Sequence, residues 1–248
     1  MKTTERHHLK DNELAIALQQ AQSWAGSNSK TLTTTVAAIV IVGVAVLGYM
    51  AWTSNTDNKA RAMLAAAMVI EEARVMPPGP PPGTTNDPTA SGGQLPGTYP
   101  TEKAKLEAAL PKFQAAADAY PSNEAGLTAR YHAAKTFVTL GRFDEAVKQY
   151  DQVIAGGSAL LARSARLGKA EAQLRAAQYD PAIATLKQII EQRDASLPAE
   201  AVLMELARAY RLAGNTEEAR KTLQQVVEQH SDSQYASEAK AELEKLKG

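Results

Sequence analysis

Polar and apolar positions follow four patterns along this chain, and each predicts a different element. Residues 31–53, TLTTTVAAIVIVGVAVLGYMAWT, carry no charge on any face. As a helix this stretch extends about 35 Å, enough for a hydrocarbon core of roughly 30 Å. A helix at a protein surface keeps one polar side, so an all-round apolar segment predicts a transmembrane helix, the alternative being an unusually long buried one. Val36, Ile39, Val40, Ile41, Val42, Val44 and Val46 are β-branched, which lipid tolerates because a lone segment there satisfies its backbone only as a helix. Tyr49 and Trp52 stand near one end, as interfacial aromatics do.

Before it, Leu14, Ala17, Leu18, Ala21 and Ala25 recur at helical spacing beside Trp24. They predict an amphipathic helix over 5–25, capped at Asp11 or Asn12. This helix either lies on a membrane surface or partner, or forms a weakly ordered tail. After the apolar run, Asn55–Asp57 offer caps for a second helix over 57–75 with a stripe of Ala60, Met63, Leu64, Ala67, Met68, Ile70 and Ala73. Residues 77–100 come next, in which 13 of 24 positions are Pro or Gly. No regular helix or strand is expected there, and a polyproline and Gly/Ser spacer is favoured over a Pro-rich ligand.

From Thr101 onward the period is helical, with breaks at 121–123, 156–158, 196–198 and 230–233. GRFDEAVKQYDQVI, AQYDPAIATLKQII and GNTEEARKTLQQVV are three versions of one helix-turn-helix hinge, aligned on Ala146, Ala182 and Ala219. Twelve residues before each hinge alanine stand Ala134, Ala170 and Ala207. Phe137 and Tyr210 share an aromatic position held by Gln173 in the middle copy, and Gly141 and Gly214 share a turn position held by Ala177. Tyr150, Leu186 and Leu223 supply a large side chain on the second helix, Val153, Ile189 and Val226 a smaller one. A small residue on the first helix lets the second cross closely, and the large one fills the space beside it.

These segments resemble tetratricopeptide repeats. Ala109, Phe113, Ala116 and Pro121 have the offsets of one further second helix, whose partner is expected at 57–75, with Pro111 kinking that helix or marking its start. A last helix over 233–246 closes the stack through Tyr235, Ala239, Leu243 and Leu246. The expected fold is all-α: one N-terminal transmembrane helix, then an α-solenoid of about four tetratricopeptide-like hairpins with a C-terminal capping helix. Its expected parts are a cytoplasmic amphipathic segment at 1–30, the membrane helix at 31–53, helix A of the first repeat at 54–76, the flexible insertion at 77–100 and the repeat domain at 101–248.

Charge and chemistry narrow the function. Lys plus Arg and Asp plus Glu both total 27, so no basic surface calls for nucleic acid. Cysteine is absent, which removes thiolate metal sites, disulfides and a lipoprotein anchor. The apolar run is longer than the core of a cleaved signal peptide and ends in no small-x-small site, so an uncleaved signal-anchor is expected. Lys30 on one side and Lys59 and Arg61 on the other leave the positive-inside rule nearly silent. The short N-terminus is placed inside and the large domain outside. His7 and His8 point apart on a helix, and His132 and His230 are far apart in sequence. Gly168-Lys169 lacks the rest of a phosphate loop, and GGSAL at 156–160 fits a turn. No catalytic residue, cofactor, metal or small-molecule substrate is expected, and the chain is not read as an enzyme.

Repeat position predicts a binding groove on the first helix of each hairpin, at the residue after the small alanine and three and four beyond it. That selects Lys135, Val138 and Thr139; Glu171, Leu174 and Arg175; and Arg208, Arg211 and Leu212, with Tyr131 one turn earlier. Basic, tyrosyl and leucyl side chains together suit an extended protein segment, and the asparagines of a carboxylate clamp are absent. The order of parts is similar to the ancillary subunit of the bacterial SecYEG translocon and the related cell division coordinator repeat domains. That resemblance implies a chaperone-like, non-catalytic scaffold at the inner membrane, repeat domain periplasmic, with protein and lipid-bilayer partners. The alternative is an assembly subunit of a secretion, division or outer-membrane complex that binds no clients.

Overall fold

The computed structural model describes residues 29–77, 95–192 and 198–246, together with Ile16, Gln19 and Trp24. The amphipathic segment at 5–25 falls almost entirely outside the described residues, as does the Pro/Gly-rich stretch from 78 to 94. Nine helices are described. They are α1 (Ser29–Glu71), α2 (Glu102–Ala119), α3 (Glu124–Thr139), α4 (Phe143–Gly156), α5 (Ala159–Arg175), α6 (Tyr179–Glu191), α7 (Ala199–Leu212), α8 (Thr216–Gln229) and α9 (Gln234–Lys245). Two-residue strands β1 (Arg74–Val75) and β2 (Thr98–Tyr99) complete the described elements. The chain divides into two compact units, up to Thr56 and from Asp57 onward.

In the first unit, the side chains from Thr33 to Trp52 are all exposed, among them Ile39, Val40, Ile41, Val44 and Leu47. This is one helix long and apolar enough to cross a membrane. Tyr49 and Trp52 lie near each other on it, with ring centroids 6.4 Å apart. The expected break at Asn55–Asp57 does not occur: α1 runs through it and ends at Glu71, short of residue 75. Capping side chains compete with a helix only where the preceding residues have left it. Here Thr53 and Thr56 instead bond back to the carbonyls of Met50 and Trp52, at 3.0 and 2.9 Å, as helix-interior threonines do.

The second unit is a stack of helical hairpins. Its first core gathers Ala67 of α1 with Ala109, Leu110, Phe113 and Ala116 of α2, Ala133, Ala134 and Phe137 of α3, and Tyr150 and Val153 of α4. Polar groups fix α1 to α3 on both sides of that contact: Asn123 Nδ2 donates to Asp57 Oδ1, and His132 Nδ1 lies 2.7 Å from Glu71 Oε2. A second core joins α5, α6, α7 and α8 through Ala170, Leu186, Ile189, Leu206 and Ala219. A third sets α9 on α7 and α8, with Ala239 buried and Tyr235, Leu243 and Leu246 half-buried against Leu203, Leu223 and Val226. The hinge alanines Ala146, Ala182 and Ala219 are wholly buried, and Ala134, Ala170 and Ala207 nearly so. This close approach is what the small side chains permit.

The hairpin turns share one hydrogen-bond pattern. Arg142 N donates to Phe137 O, Gln178 N to Gln173 O and Asn215 N to Tyr210 O, each at 2.8 Å. Gly141, Ala177 and Gly214 add N–H bonds to the carbonyl three residues back, each at 3.1 Å. This Schellman closure needs a left-handed residue, and φ is 76°, 58° and 80° at the three positions. Gln173, in the aromatic position, is buried and accepts from Thr185 Oγ1 at 2.9 Å.

Two further expectations are corrected. Strands β1 and β2 pair in parallel, Arg74 with Thr98 and Val75 with Tyr99, so a short strand does form inside the Pro/Gly-rich region. Thr98 and Tyr99 are the non-Pro, non-Gly residues between Gly97 and Pro100, and Met76 N extends the pairing to Tyr99 O at 2.8 Å. Pro111 lies inside α2 and does not start it; Thr101 caps that helix, accepting from Ala104 N at 3.1 Å. Its ring projects on an exposed side of the helix.

Candidate protein-binding groove

Helices α3, α5 and α7 are the first helices of successive hairpins and line one face of the stack. Such helices pack directly in two places, α3 on α5 and α7 on α9. Between α5 and α7 the backbones stand farther apart, although Ala170 and Leu206 share the second core. There a pocket of about 520 Å³ opens, within the size range of ligand clefts.

Its floor is apolar: Leu167, Gly168, Ala170 and Leu174 from α5 and Leu186 from α6. One wall is the tyrosine pair Tyr131 and Tyr150, edge to face with centroids 5.8 Å apart. Tyr150 comes this close to α5 because residue 168 has no side chain. A Cβ at Gly168 would stand 2.4 Å from the Tyr150 ring carbon Cζ and 2.6 Å from its hydroxyl oxygen. Burial raises the phenol pKa of both tyrosines, and the Glu171 carboxylate raises both further, so both stay neutral hydrogen-bonding groups.

The rim carries Lys135, Ser164, Glu171, Glu205 and Arg208. Glu171 is paired to Arg175 at 2.7 Å, and Glu205 to Arg208 at 3.4 Å. Lys135 has no carboxylate partner among the described residues. Of the residues selected by repeat position, Tyr131, Lys135, Glu171, Leu174 and Arg208 meet in this pocket. Arg211 joins Arg208 in a neighbouring cavity of about 150 Å³, where Glu238 and Glu242 of α9 face them. Thr139, Arg175 and Leu212 line neither cavity: Thr139 Oγ1 donates to Lys135 O, and Arg175 holds Glu171 from outside. Val138 is buried in the first core rather than groove-facing.

The residue after the small alanine faces the groove in all three hairpins; three residues on, about 300° round the helix, Val138 sits in the core while Leu174 lines the pocket. Sequence reasoning missed Gly168 and Glu205, each two residues before the small alanine. Their signal was the neighbouring geometry of Tyr150 and the Glu205–Arg208 spacing of three.

Among the described residues no group of three His, Asp or Glu stands where a metal could be held. The helix α4 side of the pocket is held by charge: Lys169 Nζ lies 2.6 Å from Asp151 Oδ1. Arg130, buried, ties α3 to both its neighbours, donating to Ala117 O and Asp118 Oδ1 at 3.1 Å and to Gln149 Oε1 at 2.9 Å.

Two family models agree with the repeat architecture. Residues 131–201 and residues 201–233 each match a family model described as a tetratricopeptide repeat, and the chain carries such repeats there. No curated protein sequence matches the chain. Among solved structures, nearly identical TPR-like repeats of a Podosopora anserina kinesin light chain are 20% identical over 57% of this chain and 77% of that one, with a TM-score of 0.49. MamA, residues 41 to the end, from Desulfovibrio magneticus RS-1 is 18% identical over 58% and 87%, with a TM-score of 0.42.

Proposed function

We propose that this chain is a membrane-anchored, non-catalytic scaffold that binds an extended protein segment in the groove of α3, α5 and α7. The observation that carries this reading is the pocket itself. It joins an apolar floor, two neutral phenols and a charged rim on a repeat fold that serves protein interaction in general. The anchor is the uncharged part of α1. The uncharged stretch 31–53 is about 35 Å long as a helix, enough for a hydrocarbon core of roughly 30 Å. The layout supports a chaperone-like accessory of the bacterial inner membrane beside a protein translocon, with N-terminus cytoplasmic and repeats periplasmic.

Two measurements test this. A compartment-sensitive reporter fused at residue 248 reads outside the cytoplasm on this account and inside it if the orientation is wrong. A photoreactive residue at Ser164 crosslinks protein clients in native membranes, while one at Gln152, exposed on α4, does not. A second reading, an assembly subunit without clients, draws on Val69, which is 70% exposed within the uncharged stretch 62–70. It predicts crosslinks from Val69 to a fixed complex member and none from Ser164.

A further inference from the structure

Given that this groove is the binding face, a reading on which the inference rests, its chemistry specifies more than protein binding in general. The pocket has one apolar floor, bounded by Leu167, Leu174, Leu186 and the Tyr131–Tyr150 pair. A floor of this kind gains most from a single bulky apolar side chain, which leaves water while the backbone on either side crosses the open rim. The rim is not a general cation trap. Glu171 is held by Arg175 and Glu205 by Arg208, so those four charges cancel and leave Lys135 as the one rim charge without a carboxylate partner among the described residues. Lys135 stands one helical turn beyond Tyr131 on α3, at the pocket edge.

Two features limit what fits. No asparagine or glutamine lines the pocket, so nothing there grips a free chain terminus by side-chain amides. With the other rim charges paired, Lys135 offers a partner to one carboxylate and not to a run of them. We propose that the pocket reads an internal stretch of extended polypeptide in which one bulky apolar side chain enters beside Tyr131 and Tyr150 and one neighbouring carboxylate pairs with Lys135. Gly168 is the residue that sets this specificity, because its missing side chain lets Tyr150 lie back against α5 and keeps the floor open.

The test uses the full chain in lipid nanodiscs and fluorescein-labelled peptides blocked at both ends, with core sequence Gly-Ser-Ala-Asp-Phe-Ser-Gly. Replacing the peptide's Phe by Ala weakens binding about tenfold or more, as loss of a buried aromatic side chain requires. Replacing its Asp by Lys weakens binding about fivefold, the scale of an exposed ion pair. Lys135→Glu, at an exposed position where folding is not at stake, reverses the second preference and leaves the first. Gly168→Ala lowers affinity for the Phe peptide and leaves that for the Ala peptide, provided its melting curve stays cooperative. Equal binding of all three peptides, or Lys135→Glu without effect on the Asp-to-Lys preference, overturns the inference while leaving the groove a protein-binding face. Failure of every peptide to bind overturns the inference too, and client crosslinking from Ser164 then decides the broader reading separately.

Discussion

The hydroxyl end of Tyr150 rests on the bare Cα of Gly168, so close that a Cβ there would come within 2.6 Å of the phenol oxygen. The contact joins α4 to α5 at the point where the groove opens. Gly168→Ala therefore pushes the tyrosine outward, and overpacking of this kind costs about 1–3 kcal/mol. Chemical denaturation of the variant reads the loss. In a Tyr150→Leu background the same alanine has a much smaller effect, because the clashing ring atoms are gone; an equal cost in both backgrounds places the strain elsewhere.

Ala177 holds a left-handed conformation, φ 58°, at the turn where its two counterparts are glycine. A side chain in that region costs roughly 1–2 kcal/mol, offset in part by the freedom a glycine gains on unfolding. Ala177→Gly thus stabilises by about 0.5–1 kcal/mol, and Gly141→Ala and Gly214→Ala destabilise by a similar amount. Three urea titrations check this, and a destabilised Ala177→Gly contradicts it.

Arg130 is buried and its guanidinium closes the C-terminal end of α2 through Ala117 O while reaching Gln149 on α4. Arg130→Met keeps the apolar stem but leaves that carbonyl and the Gln149 amide without their donor. The expected cost is about 2 kcal/mol, read as a lower denaturation midpoint with an unchanged denaturant slope. Asp118→Asn costs much less, because Asp118 is exposed and its pairing is screened.

Alkaline pH acts through the tyrosine pair. Burial first, then the charges of Tyr131 and Glu171, hold the Tyr150 phenol well above its ordinary value of 10.0. The unfolded chain releases that proton near the ordinary value while the folded one retains it. Stability is therefore full below about pH 10 and falls as pH rises above it, by up to ~1.4 kcal/mol per pH unit from this group. Melting temperatures measured from pH 8 to pH 11 drop more steeply for the native chain than for Tyr150→Phe. Parallel curves for the two proteins contradict the assignment.

The repeat fold was legible because its determinants are local and recur. The small alanines at 134, 170 and 207 and the hinge alanines at 146, 182 and 219 mark where backbones must approach, and each is buried. Lys135, Glu171 and Arg208 reached the pocket for the same reason, being one residue past those alanines. What escaped is non-local or competitive. The Asn55–Asp57 caps lost to a helix already formed on their N-terminal side, and the β1–β2 pairing joins residues separated by most of the Pro/Gly-rich stretch. Val138 is buried in the core where its counterpart Leu174 lines the pocket, so the repeat position alone does not decide which way the side chain goes. Gly168 became readable only once Tyr150 was seen lying on it.

The most direct test of the central claim is photocrosslinking in cells from Ser164, compared with Gln152, exposed on α4. The account predicts protein adducts from Ser164 that Gly168→Ala diminishes, and none from Gln152. Adducts of equal yield from both positions, or none from Ser164 in a folded chain, contradict the claim that this groove binds protein.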